Sequence, residues 1–571
     1  MNGVKLYTFH KERPGIPGAK DGEGGFGKGE GLIPEKDERM DREILLGDEA
    51  VALGAVHAGL TAGYSYPGTP ASEIMEYLIK VGQKTKAFIA SWSVNEKTAF
   101  EEALGVSFAG KRALVSMKHV GLNVAADPFM SASLTGANGG FLVVVADDPS
   151  MHSSQNEQDS RFYAQFAQIF CYEPADHQEA YDMTREAFDL SEKMNIPVMI
   201  RMVTRLSHSR AGVETRDPHP PNELHYGARQ CWTLLPVNAR VQFKKVLDRQ
   251  PELVKLAEAS RFNKLELNPD DKSLGVIASG IAYNYVLENF KNAAKKPSIL
   301  KVSTYPLPEE LVKELIARVE TVLVAEEGYP LIERSLKGLS GLPGKRLIGK
   351  LSGHLPLAGE LSPETVRQAL ALKPLERQTL GDFKLTGRPP QLCVGCPHAD
   401  TFKALNKALE GSGKPGVFSD IGCYTLGYFP PHNAINTCVC MGASVGMAKG
   451  AAEAGVHPSV AVIGDSTFGH SGITPLLSAA AFNTNMVLII LDNCTVAMTG
   501  GQPSFSTGER LLKIIEGVGV PKEHIRVITP LPKFHEQNVR ILREEIEFPG
   551  ISVIVAVREC LEEARKKSKR A

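Results

Sequence analysis

From Leu45 onward, apolar residues fall into short, nearly unbroken runs, each followed by a polar turn and then by helical spacing. One β-branched run, Val460 to Ile463, ends at Gly464-Asp465. A polar turn follows, and a helical pattern runs from about Thr474 to Phe482. A second run, Met486 to Leu491, ends at Asp492-Asn493. Runs that are apolar at every position are those of strands buried on both faces, so this stretch reads as strand, helix, parallel strand. The same alternation holds upstream. DEAVALGAVHAG has helical spacing, and SYPGTPASEIMEYLIK is a loop feeding a helix that starts near Ser72-Glu73. KAFIASWSV reads as a strand, followed by a helix over NEKTAFEEALGVSFAG with Asn95 as its N-cap. RALVSMKHVGLNVAADPFM repeats strand, turn and helix; GGFLVVVADDPS and PVMIRMV are further buried strands.

The expected fold class is α/β, multidomain, with parallel sheets. The pattern divides the chain into a Gly-rich extension (1–43), a first α/β domain (44–212), and a connecting segment with basic amphipathic stretches (213–270). A smaller α/β domain (271–371), a Pro- and charge-rich linker (372–390) and a third domain with a basic tail, ARKKSKRA (391–571), complete it.

Composition narrows the function classes. A chain of 571 residues can bury three or four separate cores. With 64 basic against 65 acidic residues, it lacks the electrostatic footprint of a nucleic-acid binder. The N-terminus is charged and Gly-rich, without the apolar core of a signal peptide. No apolar run approaches the roughly 20 residues of a membrane span. The expectation is a soluble, cytoplasmic protein. Nine cysteines, including a C-x2-C pair, point to metal ligation rather than disulfides.

A right-handed crossover would bring Asp465 and Asn493 to neighbouring carboxyl ends of one sheet, where open α/β sheets bind ligands. One carboxylate, one amide oxygen and nearby backbone carbonyls suit Mg²⁺. Glu96 sits in the first turn of its helix, a position the macrodipole favours in any protein. Cys393, Cys396, Cys423 and Cys560 have the spacing C-x2-C, then 27 residues to the Cys of D-I-G-C, then a distant Cys after a strand. Four thiolates suit either a [4Fe–4S] cluster or structural zinc. The remaining cysteines, Cys171, Cys231, Cys438, Cys440 and Cys494, read as small core or lining residues. Lys118 and His119 close a strand on the ligand edge, and His470 lies in the turn after Asp465. Any of them could bind a substrate carboxylate or a diphosphate, shuttle protons, or serve as an ordinary structural hydrogen bonder.

G-D-S with an Asn 28 residues beyond the Asp resembles the diphosphate motif of thiamine diphosphate (ThDP) enzymes. More broadly, YPGTPASE, WSVNEK, SMKHVGLNVAADP, LCVGCPH, DIGCYTLG, GDSTF and DNCTVAMTGGQ resemble the large subunit of indolepyruvate:ferredoxin oxidoreductases, from about Leu45 to Cys560. The resemblance implies a pyrimidine-binding domain, a transketolase-C-like domain and a diphosphate-binding domain, in that order. It implies that Glu96 contacts the ThDP ring, with Thr69 beside the substrate; of the three basic turn residues, His470 and Lys118 are the catalytic candidates. It also implies cofactor contacts from Gly464, Asp465, Ser466, Asn493 and Thr495, with Mg²⁺ on Asp465, Asn493 and the Thr495 carbonyl. The four cysteines would hold a [4Fe–4S] cluster.

The implied activity is oxidative decarboxylation of an aryl 2-oxo acid to the acyl-CoA, with coenzyme A as cosubstrate and ferredoxin or a separate iron–sulfur subunit taking the electrons. A small β-type subunit and pairing of large subunits are implied as well. Two departures stand out: the Gly-rich extension, and an end 11 residues after Cys560, where the family continues into a ferredoxin-like domain. Two alternatives remain, a non-oxidative ThDP decarboxylase or ligase, and a non-catalytic docking subunit of a redox complex.

Overall fold

The computed structural model describes residues 42–226, 229–291, 293, 295–338, 342–374 and 390–570. Residues 1–41 of the Gly-rich extension, and most of the linker, lie outside that range. Three main sheets organise the chain. The first has seven strands in the order Thr304–Tyr305, Cys171–Tyr172, Val198–Val203, Phe141–Asp147, Ala113–Lys118, Ala62–Ser65 and Ile89–Trp92. All pair in parallel except the Thr304–Tyr305 edge. Its three central strands are buried throughout, as their unbroken apolar sequences require. The third main sheet has six parallel strands: Thr437–Cys438, Gly416–Ser419, Ser459–Gly464, Met486–Asp492, Ile551–Val557 and Ile525–Ile528.

Between them in sequence lies a five-stranded sheet that shares continuous apolar cores with the first domain; Val276 and Ala278 lie in one cluster with Leu114 and Val144. A buried ionic knot reinforces that junction. Arg161 pairs with Asp159 at 2.6 Å and with Glu326 at 3.0 Å, and Arg201 pairs with Asp147 at 2.6 Å and with Glu173.

Several elements differ from the periodicity reading. The residues after Gly464 are not a turn. A helix begins at Asp465 itself, widens into a π-helical turn over Phe468–Gly472 and continues over Ile473–Ala481. Gly469 and Gly472, which weaken the helical signal, are needed there: a Cβ on Gly469 would lie 2.3 Å from Ser506 Oγ, and one on Gly472 2.9 Å from Ile463 Cδ1. The connecting segment carries a 23-residue helix, Pro236–Glu258, that buries Val246, Leu253 and Ala257. It also supplies Lys264–Glu266 as an antiparallel edge of the middle sheet. The basic tail is helical over Leu561–Arg570, where Arg565 and Lys566 each pair with a glutamate three residues earlier. Of the cysteines read as core or lining residues, Cys171 is fully buried and Cys440 lines the cleft between the first and third main sheets, whereas Cys438 and Cys494 are exposed.

Candidate active site

The first and third main sheets turn their carboxyl edges toward one another, and a cleft of about 460 Å³ opens between them. One wall, from the third main sheet, follows from the parallel register of Ser459–Gly464 on Met486–Asp492, which aligns Gly464 with Leu491. Asp465 is 2 % exposed, and its Oδ2 has no hydrogen-bond partner among the described residues. Burial, and secondly the charge of Asp492, push its carboxyl well above the ordinary range. A buried carboxylate with an orphaned oxygen fits a cation. Asn493 Oδ1 accepts from Thr495 N at 3.2 Å, and both residues line the cleft. Among the described residues no three His, Cys, Asp or Glu side chains converge to hold a metal ion.

The opposite wall comes from the first domain. The Asn95 side chain caps the helix Glu96–Phe108 by accepting from Thr98 N at 2.8 Å. Glu96, 6 % exposed, points from its first turn into the cleft. Its Oε2 lies 2.7 Å from His470 Nε2, so the two domains meet directly on this carboxylate. Asn95 Nδ2 donates to the His470 carbonyl at 2.9 Å, and Tyr66 OH lies 3.0 Å from Ser466 Oγ. Gly121 makes room for Glu96, since a Cβ there would fall 2.6 Å from Glu96 Oε1.

Lys118 ends its strand inside the same cleft, and Nζ donates to the Ser153 carbonyl at 2.7 Å. Burial lowers its pKa to about 8, against the opposing charges of Asp148 and Glu96. Thr69 lines the cleft beside it, its carbonyl accepting from Ser153 Oγ at 3.1 Å. The cleft thus gathers Glu96, Thr69, Lys118, His470, Gly464, Asp465, Ser466, Asn493 and Thr495. His119 is buried, with Nε2 3.2 Å from the Asn156 carbonyl, and does not line it.

The four cysteines lie at one flank. Cys396 N donates to the Cys393 carbonyl at 3.0 Å, and Cys560 N to the Asn493 carbonyl at 3.3 Å. Cys423 lines the cleft, and its thiol is pushed up to about 12 by burial, then by the charges of Cys396, Cys560 and Cys393. Cys396 and Cys423 are thus each within electrostatic range of the other cysteines, where bare thiolates would repel, although no three of these thiols converge on a single metal ion.

His398, which lines the cleft, and Asp420, which precedes its lining residue Ile421, were not assigned by sequence reasoning. His398 is buried, its pKa lowered to about 4 by that burial, with Nε2 3.3 Å from Asn493 Nδ2. Asp420, raised to about 6 by burial, accepts from Ser444 Oγ at 2.6 Å and from Tyr424 OH, and Tyr424 packs along Gly464 at the cleft floor. The signal for His398 was its place directly after the C-x2-C pair, in CPH. Asp420 had no signal beyond ending a strand.

The family profile described as "Pyruvate flavodoxin/ferredoxin oxidoreductase, thiamine diP-bdg" matches residues 53–229, and "Thiamine pyrophosphate enzyme, C-terminal TPP binding domain" matches residues 420–555. The indolepyruvate oxidoreductase subunit IorA of Archaeoglobus fulgidus is 40% identical, over 92% of this chain and 87% of that protein. The IorA subunit of Methanothermobacter thermautotrophicus is 37% identical, over 91% of this chain and 87% of that protein. Among solved structures, a 2-oxoglutarate:ferredoxin oxidoreductase from Magnetococcus marinus with 2-oxoglutarate, coenzyme A and succinyl-CoA bound aligns with TM-score 0.48 and 17% identity, over 59% of this chain and 66% of that chain. The chain belongs to the indolepyruvate oxidoreductase subunit IorA family, oxidoreductases built on two thiamine diphosphate-binding domains.

Proposed function

We propose that the chain catalyses oxidative decarboxylation of an aryl 2-oxo acid, of the indolepyruvate or phenylpyruvate kind, to the acyl-CoA. The observation that carries this reading is the Glu96–His470 contact, made between residues 374 positions apart, with the orphaned Asp465 carboxylate on the same cleft. In this reading residues 44–212 hold the ThDP ring, residues 391–571 its diphosphate, and residues 271–371 form the transketolase-C-like unit. Asp465, Asn493 and the Thr495 carbonyl would hold Mg²⁺, with Gly464 and Ser466 beside the diphosphate. When bound, the cofactor supplies a carbanion equivalent and an electron sink for the loss of CO₂.

The chain's own residues divide the remaining work. Glu96 offers a carboxylate, held in a water-poor wall, to share a proton with the ring. Lys118 places a cation where the substrate carboxylate must lie, and Thr69 flanks it. Val120 and Val124, one helical turn apart, face the cleft with Met441, Val439 and Met498. Apolar side chains left open in this way suit an aromatic substituent, with methionine adapting to its outline.

Cys393, Cys396, Cys423 and Cys560 would hold a [4Fe–4S] cluster, whose iron charge would offset the thiolate repulsion. Val394, Tyr428 and Phe429 are exposed and lie near these cysteines in sequence, and such apolar side chains suit docking of ferredoxin or a separate iron–sulfur subunit. The relatives are themselves named as subunits, in keeping with a small β-type partner and paired large subunits. Among the described residues no helix is long and apolar enough to cross a membrane; the proposed setting is the cytoplasm.

The test is an anaerobic assay of the complex against a panel of aryl and alkyl 2-oxo acids, with and without coenzyme A, using a one-electron dye. Iron and acid-labile sulfide are measured on the same sample. Dye reduction that requires an aryl 2-oxo acid and coenzyme A is expected. An iron-free protein that releases CO₂ without reducing dye would be a non-oxidative decarboxylase. Protein that binds ThDP yet turns nothing over would be a docking subunit.

A further inference from the structure

We propose that His470 is the positioning residue for Glu96, holding it from across the domain boundary so that the carboxylate keeps its remaining oxygen for the cofactor ring. The inference rests on the ThDP reading of the cleft. Three contacts fix the imidazole and a fourth fixes its backbone. Its Nε2 lies 2.7 Å from Glu96 Oε2. With Glu96 ionised, Nε2 is the donor, which leaves Nδ1 to accept the hydroxyl proton of Ser471. The Tyr66 ring packs edge-on against it, with centroids 4.6 Å apart. The His470 carbonyl accepts from Asn95 Nδ2 at 2.9 Å, and Asn95 also caps the Glu96 helix.

The backbone explains how His470 reaches so far. It sits within the π-helical turn Phe468–Gly472, which widens the helix by one residue per turn and turns the side chain toward the other domain. Such turns recur at functional sites because they cost helix stability and persist only when neighbours fix them. Here the widened turn is packed against Ser506 at Gly469, and Gly442 presses on Ser471. Glu96 is in turn clamped between His470 and the bare face of Gly121. A carboxylate gripped at one oxygen and backed by Gly121 cannot rotate away from the ring. His470 therefore acts through Glu96 and not by touching substrate.

The experiment uses the full chain with its partner subunit, with His470→Ala, His470→Gln and Glu96→Gln as variants. Binding of ThDP with Mg²⁺ is measured by calorimetry, and hydrogen–deuterium exchange at the cofactor's reactive carbon by quenched NMR. The expected result for His470→Ala is exchange slowed about 10- to 100-fold, less than the loss in Glu96→Gln, with ThDP affinity within about threefold. Glutamine, whose amide can replace the Nε2 donor, and added imidazole in the alanine variant should each restore most of the rate. If exchange in His470→Ala matches wild type while Glu96→Gln is slow, the proposal is overturned and the cofactor reading stands. If wild type binds no ThDP, the cofactor reading falls and the proposal with it.

Discussion

Gly121→Ala separates the fold from the site. The glycine lies in the helix His119–Val124, and a Cβ built on it would be 2.6 Å from both Cγ and Oε1 of Glu96 and 2.9 Å from Cδ. Carbon contacts settle at about 3.5–4.0 Å, so the Glu96 side chain must retreat by about 1 Å. The fold pays little for this. Alanine replaces glycine in a helix with a gain of about 1 kcal/mol, and the Glu96–His470 hydrogen bond, if lost, costs about 1.5–3 kcal/mol. The net is at most about 2 kcal/mol, a few degrees in Tm for a domain of this size. A displacement of about 1 Å at a reacting group costs on the order of 100-fold in rate.

The assay is kcat for dye reduction at saturating 2-oxo acid and coenzyme A, with Tm followed by circular dichroism. A loss of roughly 100-fold in kcat with Tm within about 5 °C of wild type is expected. A kcat within about threefold of wild type would show that the Glu96 wall is not where chemistry occurs.

Three further outcomes follow from buried charges. Lys118, lowered to about 8, is cationic below that value and neutral above it, so KM for the 2-oxo acid should rise as pH passes through about 8 while ThDP affinity holds; Lys118→Met should show the raised KM at all pH values. Asp465→Asn removes a buried, raised carboxylate with an orphaned oxygen, so the cofactor-free protein should gain about 1–3 kcal/mol while the Tm increase given by Mg²⁺ with ThDP disappears. A Mg²⁺-dependent shift that survives in Asp465→Asn would remove that residue from the metal site. Glu327 is raised to about 7 chiefly by burial, so the folded state holds a proton that the unfolded state has released between about pH 4.5 and 7; stability should fall across that window by no more than about 3 kcal/mol, and Glu327→Gln should flatten the dependence measured by urea unfolding.

What the sequence made legible and what it hid divide along one physical line. Strands such as Val198–Val203 and Met486–Asp492 are visible because burial on both faces is written as local, unbroken apolar character. Asp465 and Asn493 could be brought together before any coordinates because a strand–helix–parallel strand unit has one hand, so that two neighbouring strand ends share an edge. The Asn95 cap is legible for the same reason: its partner, Thr98, is three residues away.

The contacts that make the cleft one site are of another kind. Glu96 with His470, Asn95 with the His470 carbonyl, and Tyr66 with Ser466 each join residues 374 to 400 positions apart. No period or spacing encodes such a pair, and the family resemblance could name the residues without saying that His470 rests on Glu96. The misread turn after Gly464 is the same lesson at short range. Glycines at 469 and 472 look like loop punctuation, yet they are what lets a widened helical turn pack closely enough to carry an imidazole across to the other domain. The places where local propensity fails here are therefore the places where two domains act on one carboxylate, and the strain there is held by contacts that exist only once both domains have folded.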